Sequence, residues 1–137
     1  MNDNVSNSLV AACQFDPKDG DIDSNLAKAQ QLAFEAAAKG AKIIVLPELC
    51  ISGYEVMTKN DAASLGQTQE GYQTQSLIPI SKQFNCTIIF GYIELSDNEL
   101  YNSAIAIQPT KVYNTRKCNL EGTNVFWATS SGIVTGN

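Results

Sequence analysis

Two short apolar runs, neither alternating with polar residues, flank one amphipathic stretch near the start of the chain, and this arrangement constrains the fold most. Leu9 to Phe15 (LVAACQF) reads as a buried strand, bounded by the turn-rich DPKDGDID. A helix follows, in which Leu26, Ala29, Ala33 and Ala37 recur at helical spacing and Leu32 widens the apolar face. Ser24 is the expected N-cap, behind Asp21 and Asp23, whose charges favour a helix N-terminus. Lys39 and Gly40 form the stop, a cation in the last turn and a residue able to go left-handed. Ile43-Ile44-Val45-Leu46 then suits a strand covered on both faces. Strand, helix and strand in so short a span imply a parallel, right-handed crossover and an α/β class.

Pro47 closes the second strand, and Gly53-Tyr54 marks a loop after it. Thr68 to Phe84 reads as a second helix interrupted by Gly71 and Pro79, and Cys86 to Ile93 as a third strand. Asp97-Asn98 punctuates a hairpin into Tyr101 to Gln108, with a turn at Pro109-Thr110. Lys111 to Leu120 is expected as a fifth strand and Asn124 to Trp127 as a short further piece. Residues 1–8 form a polar tail, and residues 9–137 show no repeat, linker or shift of composition that would divide them.

The chain has no histidine, which removes serine–histidine triads, cysteine–histidine pairs and histidine-ligated metals. Its four cysteines, Cys13, Cys50, Cys86 and Cys118, include no close pair of the kind that holds metal, and they are expected as separate, half-buried thiols. Nine basic against fourteen acidic residues give a net charge of −5, which argues against nucleic acid or an acidic membrane as partner. No apolar run approaches the ~20 residues of a bilayer span, and the first ten residues are too polar for a signal peptide. The expectation is a soluble, cytoplasmic protein. A nucleotide-binding domain is disfavoured, because DPKDGDID offers carboxylates where a phosphate-cradling loop would need glycines.

Two residues stand out for chemistry. Glu48 lies just past the carboxyl end of a buried strand, the edge where ligands of α/β sheets bind. Partial desolvation there is expected to raise its pKa toward general-base duty, the plainer possibility being a loop carboxylate in solvent. Lys117, in TRKCNL, falls late in a strand, so it shares a face with neither Arg116 nor Cys118. One of the Arg116/Lys117 pair is expected to face inward and the other solvent.

In order along the chain come QFDP, a helix ending in AKGAKIIVLPELCISGY, then GYIE, YNSA and RKCNL. Together these resemble the nitrilase, or carbon–nitrogen hydrolase, superfamily from about Leu9 to Phe126. Pro47, Glu48, Leu49, Gly53 and Tyr54 form the most specific segment, and Tyr101 to Ala104 with the Arg116-Lys117 pair support it independently. The resemblance implies an α/β fold, specifically an α-β-β-α sandwich of which residues 9–137 make the N-terminal half. It implies a Glu-Lys-Cys site with no metal or cofactor. Glu48 matches the general base, Lys117 the cation that steadies the tetrahedral intermediate, and Tyr54 is assigned to substrate binding. A cysteine thiolate attacks an amide or nitrile carbon and forms a thioester that water hydrolyses.

The nucleophile of such proteins follows the lysine, in a segment resembling G-x-x-I-C-Y/W, and no cysteine follows Cys118 here. Cys118 should point away from Lys117. Cys50 could share the side of Glu48 if the backbone stayed extended, while Cys13 and Cys86 read as packed thiols. Thr115 replaces the usual tyrosine before the Arg-Lys pair and Asn119 the usual histidine after it. The hairpin between Asn102 and Lys117 is about two residues short. An acidic residue common seven or eight positions past the lysine has no clear match, Asn124 or Val125 standing there. The expected function is that of a hydrolase of small amides or nitriles, leaning toward aliphatic amidases, cut short before its nucleophile and inactive alone. The alternative is a non-catalytic short form that binds full-length subunits. Either way a half sandwich leaves apolar faces and strand edges open, so a homo-oligomer, or pairing with a missing C-terminal half, is expected.

Overall fold

A computed structural model of the chain describes residues 7–130. The polar tail expected over residues 1–8 therefore lies outside the described residues, except for its last two. The elements are β1 (Leu9–Ala12), α1 (Ile22–Ala38), β2 (Ala41–Val45), α2 (Lys59–Leu65), α3 (Tyr72–Phe84), β3 (Thr87–Ser96), β4 (Glu99–Ile107) and β5 (Val112–Arg116), with a 3-10 turn at Gly122–Phe126. One five-stranded sheet runs in the order β1-β2-β3-β4-β5, and β1, β2 and β3 are parallel. β4 and β5 return antiparallel. β1 and β2 lie parallel with α1 between them in sequence, as the apolar runs imply.

Both longer helices cover the same side of the sheet. Leu26, Ala29, Ala33 and Ala37 of α1 and Leu77 and Ile80 of α3 pack with Ile44, Ile88, Phe90, Ile105 and Ile107 into one core. The three alanines bring α1 close to the sheet, since no long side chain holds it away. The opposite face differs from the doubly covered strand expected at Ile43 to Leu46. Among the described residues nothing covers Val10, Ile43 and Val45, which register aligns on one face and which are 57%, 39% and 38% exposed. An α layer and a β layer are thus present, half of the expected four.

Only one end of that face is roofed. The segment after β2, together with α2 and the 3-10 turn, buries Leu49, Val56, Ala62 and Trp127 against Ile93 and Leu100. The cap of α1 is Asp21 rather than Ser24: the Asp21 Oδ1 accepts from the Ser24 amide at 3.1 Å, so Ser24 sits inside the first turn. Gly40 stops the helix with φ of 95°, as expected. Gly71 does not interrupt α3 but caps it, and Pro79 is tolerated on an exposed side where Gln75, the residue whose carbonyl it frees, is also exposed. Asp97 and Asn98, both at positive φ, make the two-residue hairpin turn. No helix among the described residues is long and apolar enough to cross a membrane.

Candidate active site

The carboxyl end of β2 leads into Pro47 and Glu48, which cross over β3 at Gly91. The Gly91 amide donates to the Pro47 carbonyl at 3.2 Å. A Cβ on Gly91 would lie 2.5 Å from the Leu49 nitrogen and 2.7 Å from the Glu48 Cα. These are backbone atoms that no side-chain rotation can move aside. Leu49 holds φ of 48° while buried, which turns the chain sharply after Glu48. Gly91→Ala is therefore expected to cost about 1–3 kcal/mol of stability and to displace Glu48. Urea unfolding followed by the fluorescence of Trp127 checks this.

The strand register brings the other partners to the same face. Ser103 pairs with Arg116 across β4 and β5, so the next rung sets Asn102 opposite Lys117, whose amide donates to the Asn102 carbonyl at 2.8 Å. Lys117 Nζ donates to Glu48 Oε1 at 2.9 Å, and Asn102 Nδ2 donates to the same oxygen at 2.8 Å. Glu48 Oε2 accepts no hydrogen bond among the described residues. The side chains of Glu48 and Lys117 are 52% and 35% exposed. They stand at a cleft of about 340 Å³ whose floor includes Val45, Ile89, Gly91 and Ala104.

The expectation of a raised Glu48 pKa is corrected. Burial alone would raise it, but the hydrogen bonds from Lys117 and Asn102 and the Lys117 charge together hold it below the usual carboxylate range. Glu48 is a carboxylate at neutral pH and can accept a proton. Tyr54 is 41% exposed and makes no hydrogen bond to Glu48 or Lys117 among the described residues. Its amide donates to Asp19 Oδ1 at 2.9 Å. Burial first, then the nearby Cys50, Glu48 and Asp16 charges, push its phenol pKa up.

The expectation that Cys50 could face the same side as Glu48 fails, because the backbone turns instead of staying extended. Cys50 is fully buried, its Sγ donates to the Gly91 carbonyl at 3.7 Å, and burial pushes its thiol up to about 12. Such a thiol is no nucleophile near neutral pH. Cys13 and Cys86 flank β1 and β3 and pack at the core, Cys86 buried and Cys13 partly so. Burial first raises the thiol of each. Cys118 lies just past β5, its Sγ 3.8 Å from the Arg116 carbonyl.

Arg116 corrects a second expectation, since neither member of the Arg116/Lys117 pair is given up to solvent. Lys117 meets Glu48, while Arg116 on the other face meets Glu94 of β3, which is 2% exposed. Arg116 Nε donates to both Glu94 oxygens at 3.0 Å and Nη2 to Oε1 at 2.8 Å. Ser103 and Asn114 add donors at 3.0 and 2.8 Å. Reading by sequence missed Asn102 and Asn124 as site residues. Alternation along β4 and β5 finds Asn102; Asn124 stands where the family resemblance leads one to look for an acidic residue, and its buried Oδ1 accepts from Asn102 Nδ2 at 2.5 Å. Among the described residues no group of histidine, cysteine, aspartate or glutamate is placed to hold a metal ion.

The sheet sets a carboxylate past the end of its second strand and a lysine just past its fifth, and the chain matches solved structures of the nitrilase fold. The model of the carbon-nitrogen hydrolase family matches residues 9–128, and the chain belongs to that family. A nitrilase of Pyrococcus abyssi is 35% identical over 101 residues, which are 73% of this chain and 38% of the relative. A protein of Pseudomonas protegens described as a hydrolase in the pqqF 5' region is 33% identical over 123 residues, 89% of this chain and 41% of that protein. The crystal structure of an N-terminal amidase superposes with a TM-score of 0.78 at 28% identity, covering 89% of this chain and 31% of the amidase. The chain thus spans well under half the length of each.

Proposed function

We propose that this chain supplies the base and the cation of a Glu-Lys-Cys site that hydrolyses non-peptide C–N bonds of small amides or nitriles. The carrying observation is the meeting of Glu48 and Lys117, 69 residues apart in sequence, at 2.9 Å on an open cleft. Glu48 Oε2 takes the proton of an attacking thiol as the S–C bond forms. The electron pair of the carbonyl moves onto its oxygen, which Lys117 stabilises. Collapse expels the amine, which takes the proton back from Glu48, and water then cleaves the thioester with Glu48 as base again. No cofactor enters these steps. Tyr54, on the loop that carries Glu48, is proposed to contact substrate.

None of the four cysteines meets Glu48 as this reaction requires, so the thiol is proposed to come from outside the 137 residues. The chain alone is then expected to release no ammonia from small aliphatic amides. The same residues joined to a later cysteine-bearing segment are expected to release it. Turnover by the isolated chain, or none by the joined polypeptide when folded, would defeat the reading. The apolar face at Val10, Ile43 and Val45 favours a second reading, a non-catalytic short form that covers this face with a full-length subunit. Sedimentation of the chain with and without such a subunit separates the two. A cytoplasmic location is proposed with either.

A further inference from the structure

The buried amides beside the Glu48–Lys117 pair form a chain of contacts that reaches the roof of the site. We propose that Asn102 and Asn124 are positioning residues for Glu48: Asn124 fixes the orientation of the Asn102 amide, which occupies Glu48 Oε1 and leaves Oε2 as the oxygen that takes the proton. This rests on the proposed role of Glu48 and extends it to a residue that does not touch the carboxylate.

Asn102 Nδ2 has two protons and two acceptors, Glu48 Oε1 at 2.8 Å and Asn124 Oδ1 at 2.5 Å. Turning the amide over would set its carbonyl oxygen against a carboxylate and against a second carbonyl, so both acceptors select one orientation. Asn102 is 3% and Asn124 8% exposed, which leaves water little room to replace a broken bond. Asn124 is in turn held from outside the site. Its carbonyl accepts from the Trp127 and Ala128 amides at 3.3 and 2.9 Å, and the Thr129 amide donates to the Leu100 carbonyl at 2.7 Å. The Trp127 side chain is buried with Leu49 and Ile93. The packing that places Leu49, and so Glu48, also places the amide that orients the carboxylate. With Lys117 and Asn102 both on Oε1, proton acceptance is confined to one oxygen, at a defined place in the cleft.

The test is an NMR pH titration of the Glu48 side-chain carboxyl carbon in the 137-residue chain and its variants. Asn102→Ala is expected to raise the Glu48 midpoint by about one pH unit because it removes a hydrogen bond held by the charged form, and Asn124→Ala is expected to raise it comparably because it frees the Asn102 amide to turn away from the carboxylate. Movement in Asn102→Ala but not in Asn124→Ala would overturn the part given to Asn124, and movement in neither would overturn the whole. Lys117→Met reports on the underlying reading: a Glu48 midpoint that stays put there defeats the base–cation pair, whatever the asparagines do. A measurement on the unsubstituted chain decides the matter even if a variant fails to fold. Both Asn102 side-chain amide protons are expected to exchange slowly with solvent, and exchange as fast as that of a surface amide would overturn the proposal. Asn124→Asp, which keeps an acceptor oxygen, is expected to retain that protection, and its disappearance there would count equally against it.

Discussion

Arg116→Met is expected to destabilise the chain by about 3–5 kcal/mol at neutral pH, because it leaves a buried carboxylate without its cation. Methionine approximates the aliphatic stem of arginine, so the penalty falls on the guanidinium rather than on packing. The guanidinium also lies over the Tyr101 ring, 3.8 Å from its centroid, and its attraction to the ring face disappears with the charge. Ser103 and Asn114 would remain as donors to Glu94, two neutral groups in place of a bidentate cation. The pH dependence gives the sharper signature. In the parent, burial would raise the Glu94 pKa, but the Arg116, Asn114 and Ser103 hydrogen bonds and the Arg116 charge bring it below its ordinary 4.5. A depressed folded pKa contributes stability that is present above the unfolded value and lost as pH falls through the folded one. Without Arg116, burial prevails and the folded pKa lies above the unfolded one. The contribution of Glu94 is then fully present below the unfolded value and lost as pH rises through the folded one. The gap between parent and variant should therefore narrow as pH falls below the ordinary carboxylate value. Urea denaturation across the acid range measures this, and a gap that stays constant with pH would refute the buried-pair account.

How far the sequence reveals the fold depends on where each element draws its stability. The β1-α1-β2 unit is legible because its apolar residues repeat at the right periods and face one core. α2 is not, since Ala62 is its one buried residue and its polar run looks like loop. Its signal was Thr58, whose hydroxyl accepts from the Asp61 amide at 3.0 Å. Gly71 looked like a breaker because its role as a cap depends on where the helix begins. The open face at Ile43 and Val45 follows from the resemblance to half of a sandwich and not from the apolar run itself. An unalternating apolar run implies a partner on each face, whether or not the described residues contain that partner.

The candidate site was legible in its charged members and not in its geometry. Glu48 follows from strand-end logic and Lys117 from the family resemblance, but their contact needs β3 and β4 to lie between β2 and β5. Arg116 finds Glu94 for the same reason, through a register no local pattern encodes. Desolvation alone gives the wrong sign for the Glu48 pKa shift, because Lys117 and Asn102 outweigh it once the strands are paired.

The central claim is that Glu48 accepts and returns the proton. The most direct test is kcat for a small amide in the polypeptide that joins these residues to a later cysteine-bearing segment, with Glu48→Gln compared against the parent. Glutamine keeps the shape of the side chain, and its carbonyl oxygen can still accept from Lys117, but it cannot take a proton from a thiol. The account predicts a fall in kcat of about 10²–10⁴-fold with the fold intact, the scale of a missing general base. A kcat that stays within about tenfold of the parent, equivalent to less than ~1.4 kcal/mol of barrier, would contradict it.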